Sequence, residues 1–109
     1  MKQISAINSI QVPQEMDKEA IKIRNSYVDY FSRQEGFVSS TFYKSITIDP
    51  GFTKYINIVV WDSYESFEKV VNQGFGNAEG INVDGLKVLG KGFPDPIVVS
   101  PGQYEIIGN

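Results

Sequence analysis

From Gln3 to Val12 polar and apolar residues alternate, with Ile4, Ala6, Asn8, Ile10 and Val12 on one side of the chain. Period 2 over this length predicts a strand, because successive side chains of extended backbone point to opposite faces. Asn8 is the odd member, polar on the apolar side. Pro13 to Met16 breaks the strand, and Asp17 is placed to cap a helix. Then the period changes. Ala20, Ile23, Tyr27, Tyr30 and Phe31 fall within about 100° of arc at 3.6 residues per turn, which predicts a helix over 17–34. Ile21 and Val28 form a second stripe beside the first. It predicts either a slightly wide core face or cover from the C-terminal segment or a partner chain.

Gly36 stands where a helix end takes a left-handed residue. Alternation resumes from Phe37 to Ile46, with Ser39, Thr41 and Tyr43 on the Phe37 side. Asp49-Pro50-Gly51 is turn chemistry, proline presetting one φ and glycine permitting a positive one, so a strand from about Lys54 to Trp61 closes a hairpin. Asp62 or Ser63 caps a second helix over 63–72, whose buried side is Tyr64, Phe67, Val70 and Val71. Gln73 to Gly92 holds six of the ten glycines, which weakens helix and strand alike, so a long loop is predicted with one short helix near Val83 to Leu89. Ile97 to Val99 and Tyr104 to Ile107 read as two short strands separated by Pro101-Gly102, the last strand of the fold lying near 103–107. The order β-α-β-β-α-β predicts an α+β domain. Its strands carry apolar residues on both faces, Ile56, Ile58 and Val60 on one and Val59 and Trp61 on the other. One set can meet the helices; the other predicts a homodimer in which two sheets face each other.

At 109 residues the chain is read as one domain, 1–109, with 73–102 as a Gly/Pro-rich loop and C-terminal extension. It has no histidine and no cysteine. That removes Ser-His and Cys-His nucleophiles, and makes zinc or a histidine-ligated haem iron improbable partners. Asp and Glu remain as strong ligands, but no spacing gathers three of them, so no metal and no cofactor are expected. A net charge of −3, with Lys and Arg scattered, argues against a nucleic-acid partner. The longest apolar run, Ile58 to Trp61, cannot span a membrane. The first twenty residues lack a basic start followed by an apolar core, so no secretory signal is expected, and the missing cysteine suits the cytoplasm. Gly74-Phe75-Gly76 is no phosphate loop: no strand precedes it and no third glycine or Lys-Ser/Thr follows.

Candidate chemistry is thus confined to polar residues on apolar faces. Asn8 is one, and Asn57, between Tyr55 and Val59 on the Trp61 face, is another. An unpaired buried amide costs about 1–3 kcal/mol, so each needs a partner. Either they pair with backbone or with each other in a solid core, or they line a cavity and bind a ligand. Trp61 would anchor the second helix or wall a planar ligand, with Tyr27 and Phe31 facing it from the first helix and 73–92 as a lid.

From Ile4 to Phe67 the chain resembles the antibiotic biosynthesis monooxygenase family of dimeric α+β barrels. The likeness rests on the first strand with Asn8, the helix end Gln34-Glu35-Gly36-Phe37, and Trp61-Asp62-Ser63 with Phe67. It implies a ferredoxin-like β-α-β-β-α-β sandwich whose sheet packs on that of a second subunit. It also implies oxygen chemistry on aromatic substrates of phenol or quinol type without metal or flavin or, in one branch, degradation of haem. The haem branch uses an Asn on the first strand, a Trp ending the third and a His on the second helix. Asn8 and Trp61 match, but Val70 and Val71 stand where the His would fall, so poor haem binding is expected. Val59 replaces an acid that many members carry two positions before the Trp. The alternative is a non-catalytic ligand-binding or stress-related protein on the same scaffold.

Overall fold

The computed structural model describes residues 2–72 and 93–108. Strand β1 spans Ile4–Pro13, helix α1 Asp17–Ser32, β2 Phe37–Lys44, β3 Phe52–Trp61 and β4 Val98–Glu105. Helix α2, Tyr64–Phe67, continues into a π-helical turn over Glu68–Asn72. The four strands form one antiparallel sheet in the order β2-β3-β1-β4, so each β-α-β unit straddles a strand of the other. This is the ferredoxin-like α+β arrangement. The described residues are 19 Å deep in their thinnest direction, the depth of one sheet and one helix layer.

The strand periods place the core. Even positions of β1 (Ile4, Ala6, Asn8, Ile10, Val12) and odd positions of β3 (Tyr55, Asn57, Val59, Trp61) are buried against the helices. From α1, Ala20, Tyr27, Tyr30 and Phe31 meet them. Val28 of the second stripe joins this core from its margin while Ile21 stays exposed, so the wide core face explains only half of that stripe. Ile7, Ile56, Ile58 and Val60 lie half-buried on the opposite face of the sheet.

Several local expectations are corrected, among them Tyr64, expected on the buried side of the second helix and in fact exposed. Asp17 is not the helix cap: Met16 holds that position without a side-chain bond, and the Asp17 carboxylate accepts from Thr53 Oγ1 at 3.2 Å and the Tyr55 hydroxyl at 2.9 Å. It ties the helix start to β3 instead. Ser39, Thr41 and Tyr43 are not on the Phe37 face. Phe37 pairs with Trp61 and Ser39 with Val60, so Val38 is an extra residue that reverses the facing of all that follows. Pro101-Gly102 does not separate two strands, because β4 runs through it. As an edge strand β4 can present a residue without an N–H outward, and Ile106 and Ile107 lie beyond its end. Strands two and three also differ by a few residues from the expected ranges, β2 stopping at Lys44 and β3 starting at Phe52.

Gly36 and Gly51 adopt the positive φ their turns require, +94° and +82°. Of the two candidate caps for α2 it is Ser63 that serves, its Oγ accepting from the Ser66 N–H at 3.2 Å. The predicted short helix near Val83 to Leu89 and the Gly74-Phe75-Gly76 segment lie outside the described residues.

Candidate functional site

α1 runs alongside β3 on the helix-facing side of the sheet, and their side chains meet in three successive tiers. The first is Asp17 with Thr53 and Tyr55. Burial, with the hydrogen bond and charge of Asp17 adding to it, pushes the Tyr55 hydroxyl up to about 12. The second tier is polar. Asn8 and Asn57 are direct cross-strand partners and are 3% and 1% exposed. They do not form a closed pair, because Arg24 of α1 donates from Nε to Asn57 Oδ1 at 2.8 Å. A guanidinium has no acceptor, so the Asn57 carbonyl must face it and the amide nitrogen points elsewhere. The Arg24 guanidinium also lies over the Phe42 ring, 4.7 Å from its centroid, and Phe42 stacks on Tyr55 at 5.1 Å.

The third tier is aromatic. Tyr27 stacks on Phe31 at 6.2 Å, and Phe31 meets the Trp61 indole edge-on at 5.7 Å. Phe37 holds the other side of Trp61 at 6.1 Å, nearly perpendicular. Trp61 is 0% exposed, yet its Nε1–H has no hydrogen-bond partner among the described residues. An orphaned donor of this kind costs about 1–3 kcal/mol. Burial pushes the Tyr27 hydroxyl up to about 12. Near neutral pH neither Tyr27 nor Tyr55 is a tyrosinate, so each can donate a proton in a hydrogen bond and neither is a ready base.

All five sequence-predicted site residues therefore lie on one side of the sheet. Tyr27, Phe31 and Trp61 touch in sequence, Asn8 and Asn57 face each other across two strands, and Asn57 and Trp61 share one face of β3. Arg24 was not among them. Its signal was present: it lies four residues after Ala20 and three before Tyr27, a charge set into the apolar stripe of α1. Val59, Val70 and Val71 are buried apolar residues where the resembled family carries an acid or a His. Among the described residues no cluster of His, Cys, Asp or Glu is placed to hold a metal ion, and no helix is long and apolar enough to cross a membrane. The lid expected of 73–92 lies outside the described residues.

No protein-family profile matches the chain, and no curated protein does. Solved structures do. A protein from Shewanella loihica, provisionally named a monooxygenase, is similar over 99% of this chain and 97% of its own, with TM-score 0.73 and 20% identity. A Bacillus cereus protein provisionally named an antibiotic biosynthesis monooxygenase is similar over 100% and 97%, with TM-score 0.65 and 14% identity. SnoaB, a cofactor-independent oxygenase from Streptomyces nogalater, is similar over 100% and 97%, with TM-score 0.65 and 19% identity. The fold is thus the one these proteins share, and one of the three, the Bacillus cereus protein, carries the name of the family that the sequence resembles.

Proposed function

We propose that the chain is a cofactor-independent monooxygenase acting, as a homodimer, on a small aromatic substrate of phenol or quinol type. The observation that carries this reading is the polar tier, with Asn8 and Asn57 buried and Arg24 half-buried, on the same face of the sheet as the Trp61 N–H, which has no partner among the described residues. Polar groups in such a place are costly unless a bound polar group answers them. The chemistry they suit is stabilisation of a phenolate. An electron-rich phenolate gives an electron to O2, the two radicals join as a hydroperoxide on the ring, and water leaves to give a quinone. A ring C–H becomes C=O, one oxygen atom is retained and the other departs in water. Amide and guanidinium donors held in place before the reaction lower the energy of the developing oxyanion. With the tyrosines held protonated and both Asp17 oxygens engaged, bound water is left to accept the phenol proton.

Oxygen uptake with a panel of hydroquinones and polycyclic phenols, in chelator-treated buffer, tests the proposal. One O2 should be consumed per quinone formed. Asn57→Ala should lower kcat roughly 10²–10³-fold, the scale of losing an oxyanion donor, with the circular dichroism unchanged. Saturable binding without any uptake would instead favour the second reading, a ligand-binding protein on this scaffold, for which the apolar Val59, Val70 and Val71 speak. Dimerisation is drawn from the half-buried Ile7, Ile56, Ile58 and Val60 on the face away from the helices. Sedimentation should give twice 12.2 kDa at micromolar concentration; the monomer mass would refute it.

A further inference from the structure

We infer that Arg24 is an anion anchor, and that the ligand of this site is a planar aromatic bearing a carboxylate or phenolate oxygen. The inference deepens the site just proposed and rests on it for the place of binding, not for turnover. Arg24 is half-buried in the middle of α1, and no carboxylate pairs with it among the described residues. Its protein contacts there are neutral: Asn57 Oδ1 on Nε at 2.8 Å, Asn25 Oδ1 on Nη1 at 3.2 Å, and the Phe42 ring face. A guanidinium presents five N–H groups in a rigid fork, so donors on the Nη side remain to be matched. Burial makes the charged form costlier and pulls the Arg24 pKa down, yet an arginine stays charged throughout the physiological range. A cation partly drawn out of water, with no counter-charge among the described residues, is the state that a bound anion relieves.

The surroundings narrow what that anion is attached to. Asn57 fixes the guanidinium by its Nε edge, so the fork is not free to swing with its long side chain. Phe42 and Tyr55 stack at an interplanar angle of 15°, giving a flat aromatic wall beneath the charge. A flat ring with an anionic oxygen in its plane suits these features, the oxygen meeting the Nη side of the fork and the ring lying against the aromatic cluster. A lysine would serve less well, because its ammonium keeps the charge but lacks the planar fork.

Isothermal titration of the full chain with 2-naphthoate and with its neutral counterpart 2-naphthamide tests the inference. Naphthoate should bind at least ten-fold more tightly. Arg24→Gln should abolish that preference, weakening naphthoate far more than naphthamide, and Arg24→Lys should retain only part of it. The Arg24 Nε–H resonance of the unsubstituted protein should move on adding naphthoate and not on adding naphthamide, a readout that holds even if Arg24→Gln fails to fold. Equal affinities, no binding of either compound, or a preference that survives Arg24→Gln would each overturn the inference. Oxygen uptake separates this failure from that of the proposed activity. A naphthoate preference without turnover leaves Arg24 as an anchor and removes the enzyme; turnover of neutral phenols indifferent to Arg24→Gln does the reverse.

Discussion

Two regions of this molecule, the junction of the sheet with its second helix and the polar tier between β3 and α1, differ in kind. At one, Gly36-Phe37 and Trp61-Asp62-Ser63, far apart in the chain, are a single junction. The Asp62 N–H donates to the Gly36 carbonyl at 2.7 Å, Phe37 pairs with Trp61 and packs edge-on against it, and Ser63 caps α2. Nearly every feature there is accounted for by stability. At the other, Asn8, Asn57 and Arg24 put two amides and a cation where apolar side chains would pack without any electrostatic cost. A motif can therefore recur because it builds the fold, and the stronger evidence for function is the place where the fold is made less stable than it could be. Trp61 is only half explained by the junction: its ring is packed there, while its N–H has no partner among the described residues.

The largest effect should come from breaking the junction. A Cβ on Gly36 would collide with the Ser66 side chain, and the residue sits at φ +94°. Gly36→Ala should cost roughly 2–4 kcal/mol, adding the left-handed penalty to the displacement of α2. Urea denaturation measures it, and a loss under about 1 kcal/mol would show that the junction does not hold α2 against the sheet.

The polar tier should respond in the opposite sense once both partners are replaced. Arg24→Met alone strands the Asn57 carbonyl and should cost about 1–3 kcal/mol. Adding Asn57→Leu to it should recover most of that loss, because two apolar groups need no partners. The double variant should be near the parent in stability and devoid of naphthoate preference. If it is far less stable than either single variant, the tier is a structural network and the comparison between the two regions collapses.

The elements themselves were legible because period 2 and period 3.6 are local properties, and both strand-facing amides were visible as interruptions of the alternation. What was not legible depends on pairing between distant segments. That Asn8 faces Asn57 follows from the β1–β3 register, which no local pattern reveals. The extra residue at Val38 leaves the alternation of β2 looking regular while turning Ser39, Thr41 and Tyr43 to the far face. Pro101-Gly102 reads as a breaker unless the strand is known to lie at the edge. Asp17 has the chemistry of a cap, and only the approach of Thr53 and Tyr55 gives it other partners. Arg24 was readable but passed over, since a charge in an apolar stripe is easily taken for a solvated end.

Smaller still is the contribution of the Ser63 cap. Ser63→Ala removes the acceptor for the Ser66 N–H and should cost about 1 kcal/mol, seen as a modest fall in thermal midpoint. Ser63→Asp should restore it, since a carboxylate accepts the same bond and favours the positive end of the helix. A loss unchanged by Ser63→Asp would mean that Ser63, itself buried, matters for its size and not for capping.

The least effect, a slope that appears only when the medium is alkaline, belongs to the titration of the two tyrosines that frame the polar tier. Burial raises Tyr27 and Tyr55 from 10.0 to about 12 in the folded chain. A tyrosine is charged when deprotonated, so above pH 10 the unfolded chain gives up these protons while the folded one holds them. Protons then bind more tightly to the native state, and stability must fall as pH rises through the window from about 10 to about 12. Below that window both states are protonated and the tyrosines contribute no slope. Urea midpoints at stepped pH should therefore be level up to the start of the window and decline beyond it, with the decline shallower in Tyr27→Phe. In Tyr55→Phe it should also be shallower, but with an offset at every pH, because the bond to Asp17 is lost as well. Tyr27 and Tyr55 would then be distinguished by their neighbours: one insulated by aromatic packing, the other also held by a carboxylate at the foot of α1. An alkaline decline undiminished in the double Phe variant would assign it to other groups and remove the case that these hydroxyls are shielded from water.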